Sequence, residues 1–143
     1  MIREATKEDV TCIVEMALIM WESNLEELAE EFEMALENEE CVIYLYCVDN
    51  MPIGFAQCGL RHDYVEGTES SPVGYLEGIF IREQYRKKGY ARDLLTKCEK
   101  WVKQKGCSEF ASDCELNNNV SLAFHMNTGF KEANRIICFT KRI

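Results

Sequence analysis

The segment Gln84-Tyr85-Arg86-Lys87-Lys88-Gly89-Tyr90-Ala91-Arg92 sets four cations around the start of an apolar-periodic stretch. That stretch, Ala91, Leu94, Leu95, Cys98, Trp101 and Val102, predicts an amphipathic helix running from Gly89 to Gly106. A helix start carries partial positive charge and disfavours Lys or Arg by roughly a few tenths of a kcal/mol each. Cations gathered there point to a bound polyanion. Unpaired N–H groups at the helix start supply donors, and Gly89 and Ala91 leave room for phosphate oxygens. Nine of the 16 Lys and Arg residues lie between Arg82 and Lys105, on a chain of net charge −9. A solvated charged face is the competing reading. Neither G-x-x-x-x-G-K-[ST] nor G-x-G-x-x-G occurs. A second unusual residue is Glu77, a carboxylate between Leu76 and Gly78-Ile79-Phe80 in an otherwise apolar run.

These residues need elements to hold them. Ile2 to Ala5 reads as a short strand, and Thr6 with Asp9 forms a variant capping box that opens a first helix. Val10, Ile13, Val14, Ala17, Leu18 and Trp21 give it one apolar face. Ser23 or Asn24 caps a second helix carrying Leu25, Leu28, Phe32, Ala35 and Leu36, with a glutamate-rich opposite face. Cys41 to Val48 and Ile53 to Leu60 form a hairpin about Asp49-Asn50. A polar loop from Arg61 to Pro72 leads to a long strand, Val73 to Ile81, whose Gly74 and Gly78 suggest a bulge or a close approach. After the basic helix come a short strand near Phe110–Ser112, a helix through Val120–Asn127, and a last strand pair around Phe130 and Ile136–Thr140. The expected fold is α/β (α+β), one domain over residues 1–143, with a central mixed sheet flanked by helices.

Composition narrows the function. A sequence pI near 4.8 argues against a nucleic-acid partner. No apolar run reaches the ~18 residues of a membrane span. The opening MIREATKEDV lacks a basic-then-apolar leader, so the expectation is an intracellular, cytoplasmic protein without a membrane partner. Eight cysteines contain no C-x-x-C pair, and neither His62 nor His125 stands at zinc-finger spacing. Reduced, mostly buried thiols and no metal are expected.

Arg86-x-x-Gly89-x-Ala91, between a strand and a helix, resembles the acetyl-coenzyme A pyrophosphate loop of the GNAT acetyltransferase superfamily. Asn118-x-x-Ser121-x-x-Phe124-His125-x-x-x-Gly129-Phe130 resembles that superfamily's later helix and turn. YVEGTESSPVGYLEGIF, EFASDCELNN and EANRIICFTK are similar to one subgroup, the aminoglycoside 6′-N-acetyltransferases, and the likeness spans nearly the whole chain. The resemblance implies a splayed sheet, acetyl-coenzyme A as cosubstrate, an aminoglycoside acceptor and a homodimer. It implies cofactor contacts from Arg86, Lys87, Lys88, Gly89, Tyr90, Ala91, Arg92 and Asn118. Pantetheine would pair with the backbone of Ile79, Phe80 and Ile81.

Acetyl transfer to an alkyl amine, whose pKa is near ~10, requires a base to expose the lone pair. Glu77 is the candidate, against the alternative that strand alternation points it to solvent. The resemblance implies that a backbone N–H near Ile79 polarises the thioester carbonyl and holds the oxyanion. Asp113 matches the acid that holds acceptor ammonium groups, or is a turn residue. Trp21 and Tyr64 match aromatics lining the antibiotic pocket, although Trp21 also suits the core. His125 stands where many relatives carry Tyr, proposed to protonate the departing thiolate, and imidazole can do this near pH 7. Asn134 replaces an acid that close relatives carry. No cysteine has the activating His neighbour of covalent catalysis, which favours direct transfer in a ternary complex. An alternative acceptor is a polyamine or protein amine, and a further alternative is a non-catalytic coenzyme A-binding module.

Overall fold

The β-branched and aromatic run Cys41–Val48 has both faces covered, which is why it reads as continuously apolar. Ile43, Leu45 and Cys47 enter one core, and Val42 and Tyr44 enter a second on the opposite face. The structure, a computed structural model, describes residues 1–143. Five strands lie side by side in sequence order: β1 (Ile2–Glu4), β2 (Cys41–Val48), β3 (Met51–Arg61), β4 (Val73–Ile81) and β5 (Phe110–Ser112). All neighbours are antiparallel except β4 and β5, so the sheet is mixed.

Helices α1 (Val10–Met20) and α2 (Leu25–Glu37) cover one face, and α3 (Tyr90–Gln104) covers the other. A fourth helix, α4 (Asn119–Asn127), follows β5. Asn24 caps α2, its Oδ1 accepting from the Glu27 N–H at 2.9 Å. Asp49 and Asn50 both take positive φ, 50° and 63°, as a tight hairpin turn requires. Buried Phe55 of β3 faces Phe80 of β4 in register, and Trp21 and Phe32 close an aromatic cluster around it.

The chain begins α1 through a single 3₁₀ turn at Lys7–Asp9. Asp9 Oδ2 accepts from the Thr6 N–H at 2.8 Å, and the two Asp9 oxygens take a forked pair of bonds from Arg3, each 2.8 Å. Arg3 holds the Asp9 carboxyl down at about 2, below its ordinary 3.8. A depressed carboxylate pKa stabilises the fold above its unfolded value and ceases to do so as pH falls through the folded one. Asp9→Asn is therefore expected to cost about 1 kcal/mol at pH 7, solvent screening at the half-exposed Arg3 limiting the effect. Urea melts should show the difference at pH 7 and its disappearance near pH 2. A difference that persists in acid would assign it to something other than this pair.

All eight cysteines are free thiols; Cys47, Cys58, Cys98 and Cys107 are buried and Cys138 is exposed. No helix is long and apolar enough to cross a membrane. The expected strand pair around Phe130 and Ile136–Thr140 is not formed, and residues 131–143 have no regular secondary structure and are exposed. A strand needs a neighbour for its N–H and C=O groups. Within one chain, none is offered to this segment. It is tied to the body at the Glu66-Gly67 turn, where Asn134 Nδ2 donates to Glu66 Oε1 at 3.2 Å and Ala133 packs against Gly67.

Candidate active site

β4 and β5 pair only over Gly74↔Phe110, Tyr75↔Ala111 and Leu76↔Ser112, after which they part. From Glu77 to Ile81 the β5 side of β4 is an open edge. Glu77 stands at that fork. Leu76 opposes Cys58 and Gly78 opposes Gln57, so Glu77 has no partner on β3 and is the extra residue of a β-bulge. The bulge reverses the backbone phase. Before it, Gly74 donates toward β5, to the Glu109 carbonyl. After it, Arg82 donates to Ile53 on β3, and alternation turns the groups of Ile79 and Ile81 to the open edge. The Ile81 carbonyl indeed accepts from Arg86 Nε at 2.8 Å rather than from β3. Without the bulge, Gly78 and Phe80 would face that edge instead.

Gly78 has a second reason to be glycine. A Cβ there would lie 2.6 Å from the Trp21 ring. Trp21 ends α1, stacks on Phe32 at 6.5 Å and meets Phe55 edge-on. It thus belongs to the core cluster and to the floor beside Glu77 at once. Tyr64 lies on the exposed Arg61–Pro72 loop, against an open depression of about 480 Å³ lined by residues 60–65.

The open edge leads directly to the N-terminus of α3. Lys87 and Gly89 both adopt positive φ, 61° and 84°, which bends the chain into a cup at the helix start. Gly89 has no protein atom within 4 Å of a would-be Cβ, so its glycine answers the φ and leaves open space. Arg86, Lys87, Lys88 and Arg92 are exposed around this cup. Arg92 also reaches the Asn127 carbonyl at the end of α4. Tyr90 turns its ring away, stacking on Tyr46 at 4.3 Å, so only its backbone faces the cup. Cations, N–H groups and an open strand edge in sequence fit the pyrophosphate and amide-bearing arm of coenzyme A.

Asn118 caps α4, its Oδ1 accepting from the Ser121 N–H at 3.0 Å. His125, one helix turn on, is held at both ring nitrogens. Nδ1 lies 2.7 Å from the Ser121 carbonyl, which can only accept, so Nδ1 carries a proton. Nε2 lies 2.8 Å from Ser112 Oγ, and that hydroxyl lies 3.2 Å from the Leu76 carbonyl, at the fork. Asp113 follows at once and accepts from the Tyr75 hydroxyl. Burial, and then the Asp113 carboxylate, push the Tyr75 phenol well above its usual range, so it remains a donor.

Three residues in this site are absent from the sequence reading: Arg61, Tyr75 and Ser112. Tyr75 stands two before Glu77 on one strand, a spacing that was a usable signal. Arg61 had none, because it reaches Glu77 only through the β3–β4 pairing. Its guanidinium lies 3.4 Å from the Tyr75 ring centroid and makes three contacts of 3.0–3.1 Å with the two Glu77 oxygens. The acids expected separately, Glu77 and Asp113, are thus joined through Arg61 and Tyr75. No group of three or more His, Cys, Asp or Glu is arranged to hold a metal ion.

Residues 7–130 match the family model described as Acetyltransferase (GNAT) family. The chain belongs to the GNAT acetyltransferase family. It is 38% identical, over 96% of its length and 90% of the relative's, to an aminoglycoside N(6′)-acetyltransferase type 1 of Stenotrophomonas maltophilia. The fold superposes on the apo aminoglycoside antibiotic 6′-N-acetyltransferase AAC(6′)-IG of Acinetobacter haemolyticus with a TM-score of 0.96 at 34% identity, covering 100% and 99% of the two chains. It superposes on AAC(6′)-Iy in complex with the bisubstrate analogue CoA-S-monomethyl-acetylneamine with a TM-score of 0.94 at 33% identity, covering 100% and 98%. The open β4 edge and the α3 cup therefore belong to an acetyltransferase of this family, and the five-stranded mixed sheet with four helices is its fold.

Proposed function

We propose that this chain moves the acetyl group of acetyl-coenzyme A to the 6′-amine of aminoglycoside antibiotics, by direct transfer in a ternary complex, and so confers resistance. One observation carries the reading: Glu77 is the bulged residue at the fork, immediately before the backbone edge that leads to the basic cup. A base and an acyl-donor track are thereby adjacent on one strand. The names of the similar proteins support the aminoglycoside as acceptor, and the bisubstrate analogue bound to AAC(6′)-Iy supports both substrates meeting in one site.

Acetyl-coenzyme A supplies the activated thioester. Arg86, Lys87, Lys88 and Arg92, with the N–H groups of Gly89, Tyr90 and Ala91, hold its phosphates. The backbone of Ile79 and Ile81 aligns the arm along β4, Phe80, expected to join them, having its backbone groups turned to β3 by the bulge, and Asn118 contributes its amide from the facing helix. The Ile79 N–H donates to the thioester carbonyl oxygen. Glu77 takes the proton from the acceptor ammonium, directly or through water. Asp113, Trp21 and Tyr64 receive the remainder of the antibiotic. His125 is the proposed acid for the thiolate. With Nδ1–H held by Ser121, Nε2 is the nitrogen that exchanges a proton, and Ser112 Oγ relays it to the fork. The site of action is the cytoplasm, where thiols stay reduced.

Coenzyme A thiol release tests the reading, with kanamycin, its 6′-hydroxyl analogue paromomycin, and spermidine presented separately. Release with kanamycin alone is the expected result. Release with spermidine alone would make the chain a polyamine acetyltransferase, and silence with all three despite cofactor binding would make it a coenzyme A-binding module.

The working unit we propose is a homodimer. Ile136, Ile137 and Phe139 are 71%, 80% and 88% exposed in a terminal segment with no strand partner. A second copy can cover these side chains and pair their backbone. Light scattering should give a mass about twice 16.6 kDa, and a chain ending at Asn134 should run as a monomer. A wild-type monomer would overturn this.

A further inference from the structure

The most unusual pairing in the site is a base held by an internal cation. Glu77 is the proposed proton acceptor, yet both of its oxygens are engaged by Arg61, at 3.0 Å each from Nη2 with Nε adding a third contact at 3.1 Å. The guanidinium is fixed from behind as well. It lies over the Tyr75 ring, 3.4 Å from the centroid, and Tyr75 is itself tied to Asp113. Arg61 therefore presents to Glu77 the charge that an acceptor would present, and is linked to Asp113, the other carboxylate expected to meet the acceptor's ammonium groups, only through Tyr75.

From this geometry we infer that Arg61 is a specificity-determining residue: a resident cation that the acceptor's ammonium must displace from Glu77. The inference rests on the amine-acetylating reading of the site. Two cations cannot share one carboxylate closely without repulsion, so acceptor binding and the Arg61–Glu77 pair are competitive. The pair is partly exposed, 43% at Arg61 and 34% at Glu77. Such a pair is weak enough to be opened, and its forked geometry is good enough to be populated. Arg61 lies at the end of β3, where the Arg61–Pro72 loop begins, so its side chain can swing outward without disturbing the sheet. An amine of single charge gains little from opening the pair. A polycation gains more, because its other ammonium groups find Asp113 while one engages Glu77. Arg61 thereby selects for highly charged acceptors and keeps the base occupied until one arrives.

Arg61→Gln removes the competitor and keeps Glu77. The KM for kanamycin should fall about three- to ten-fold, with kcat and the KM for acetyl-coenzyme A unchanged, because the bound state lacks the pair in both proteins. Arg61→Lys, a cation without the fork, should lie between. A purely structural Arg61 predicts the opposite split, a lower kcat with KM equal or higher, and that result overturns the inference. A readout independent of turnover is the Arg61 Nε–Hε resonance of the wild-type protein, assigned by its absence from Arg61→Lys. Saturation with kanamycin or spermidine should shift and broaden it, as Glu77→Gln should without any ligand. A resonance unmoved by both cations overturns the inference even if Arg61→Gln fails to fold. The aminoglycoside reading fails separately, if the wild type releases no thiol with kanamycin while spermidine moves the resonance.

Discussion

Glu77→Gln is expected to lower kcat for kanamycin by about 10²–10⁴-fold, the range spanned by a lost general base. The substitution keeps shape and still offers an oxygen to Arg61, so the fork between β4 and β5 should persist. What is lost is the ability to take a proton from an ammonium. Affinity for acetyl-coenzyme A should stay within about two-fold, because the phosphates are held at the α3 cup and not at the bulge. Thiol-release kinetics and calorimetric titration of acetyl-coenzyme A measure the two quantities on one preparation. A variant retaining kcat within about five-fold would remove Glu77 from the reaction and leave the amine to lose its proton to solvent.

The largest stability effect is expected at Phe55→Ala, at about 3–5 kcal/mol. Phe55 is 0% exposed, and the rings of Phe32, Trp21 and Phe80 stand 6.0, 6.3 and 6.3 Å from its own. The cavity has rigid aromatic walls from two helices and one strand, so little collapse can fill it. For a chain of this length the melting temperature should fall by roughly 10 °C or more. Met51→Ala, at a side chain 60% exposed on the same strand, is the control and should change stability by less than about 0.5 kcal/mol. A loss under about 1.5 kcal/mol at Phe55 would mean that the cluster repacks freely. Trp21 would then be a mobile wall for the acceptor rather than a fixed one, because the same ring fills the space that a side chain at position 78 would need.

Features that depend on a few neighbouring residues could be read directly from the order of amino acids. The bounds of β4, a cap of α2 at Ser23 or Asn24 and the turn at Asp49-Asn50 were all legible, because period, capping and turn chemistry act within about four residues. The basic cup was legible for the same reason: strand, cations, glycine and helix are consecutive. The tertiary structure decided what lies between distant segments. The bulge at Glu77 depends on how β4 registers against β3, and it alone turns Ile79 and Ile81, rather than Gly78 and Phe80, to the open edge. Arg61 meets Glu77 across 16 residues and Tyr75 meets Asp113 across 38, separations at which no local pattern reports contact. The terminal strands read from Phe130 and Ile136–Thr140 failed for a related reason. Their residues favour a strand, but a strand is completed only by the neighbour that accepts its hydrogen bonds, and this chain alone provides none.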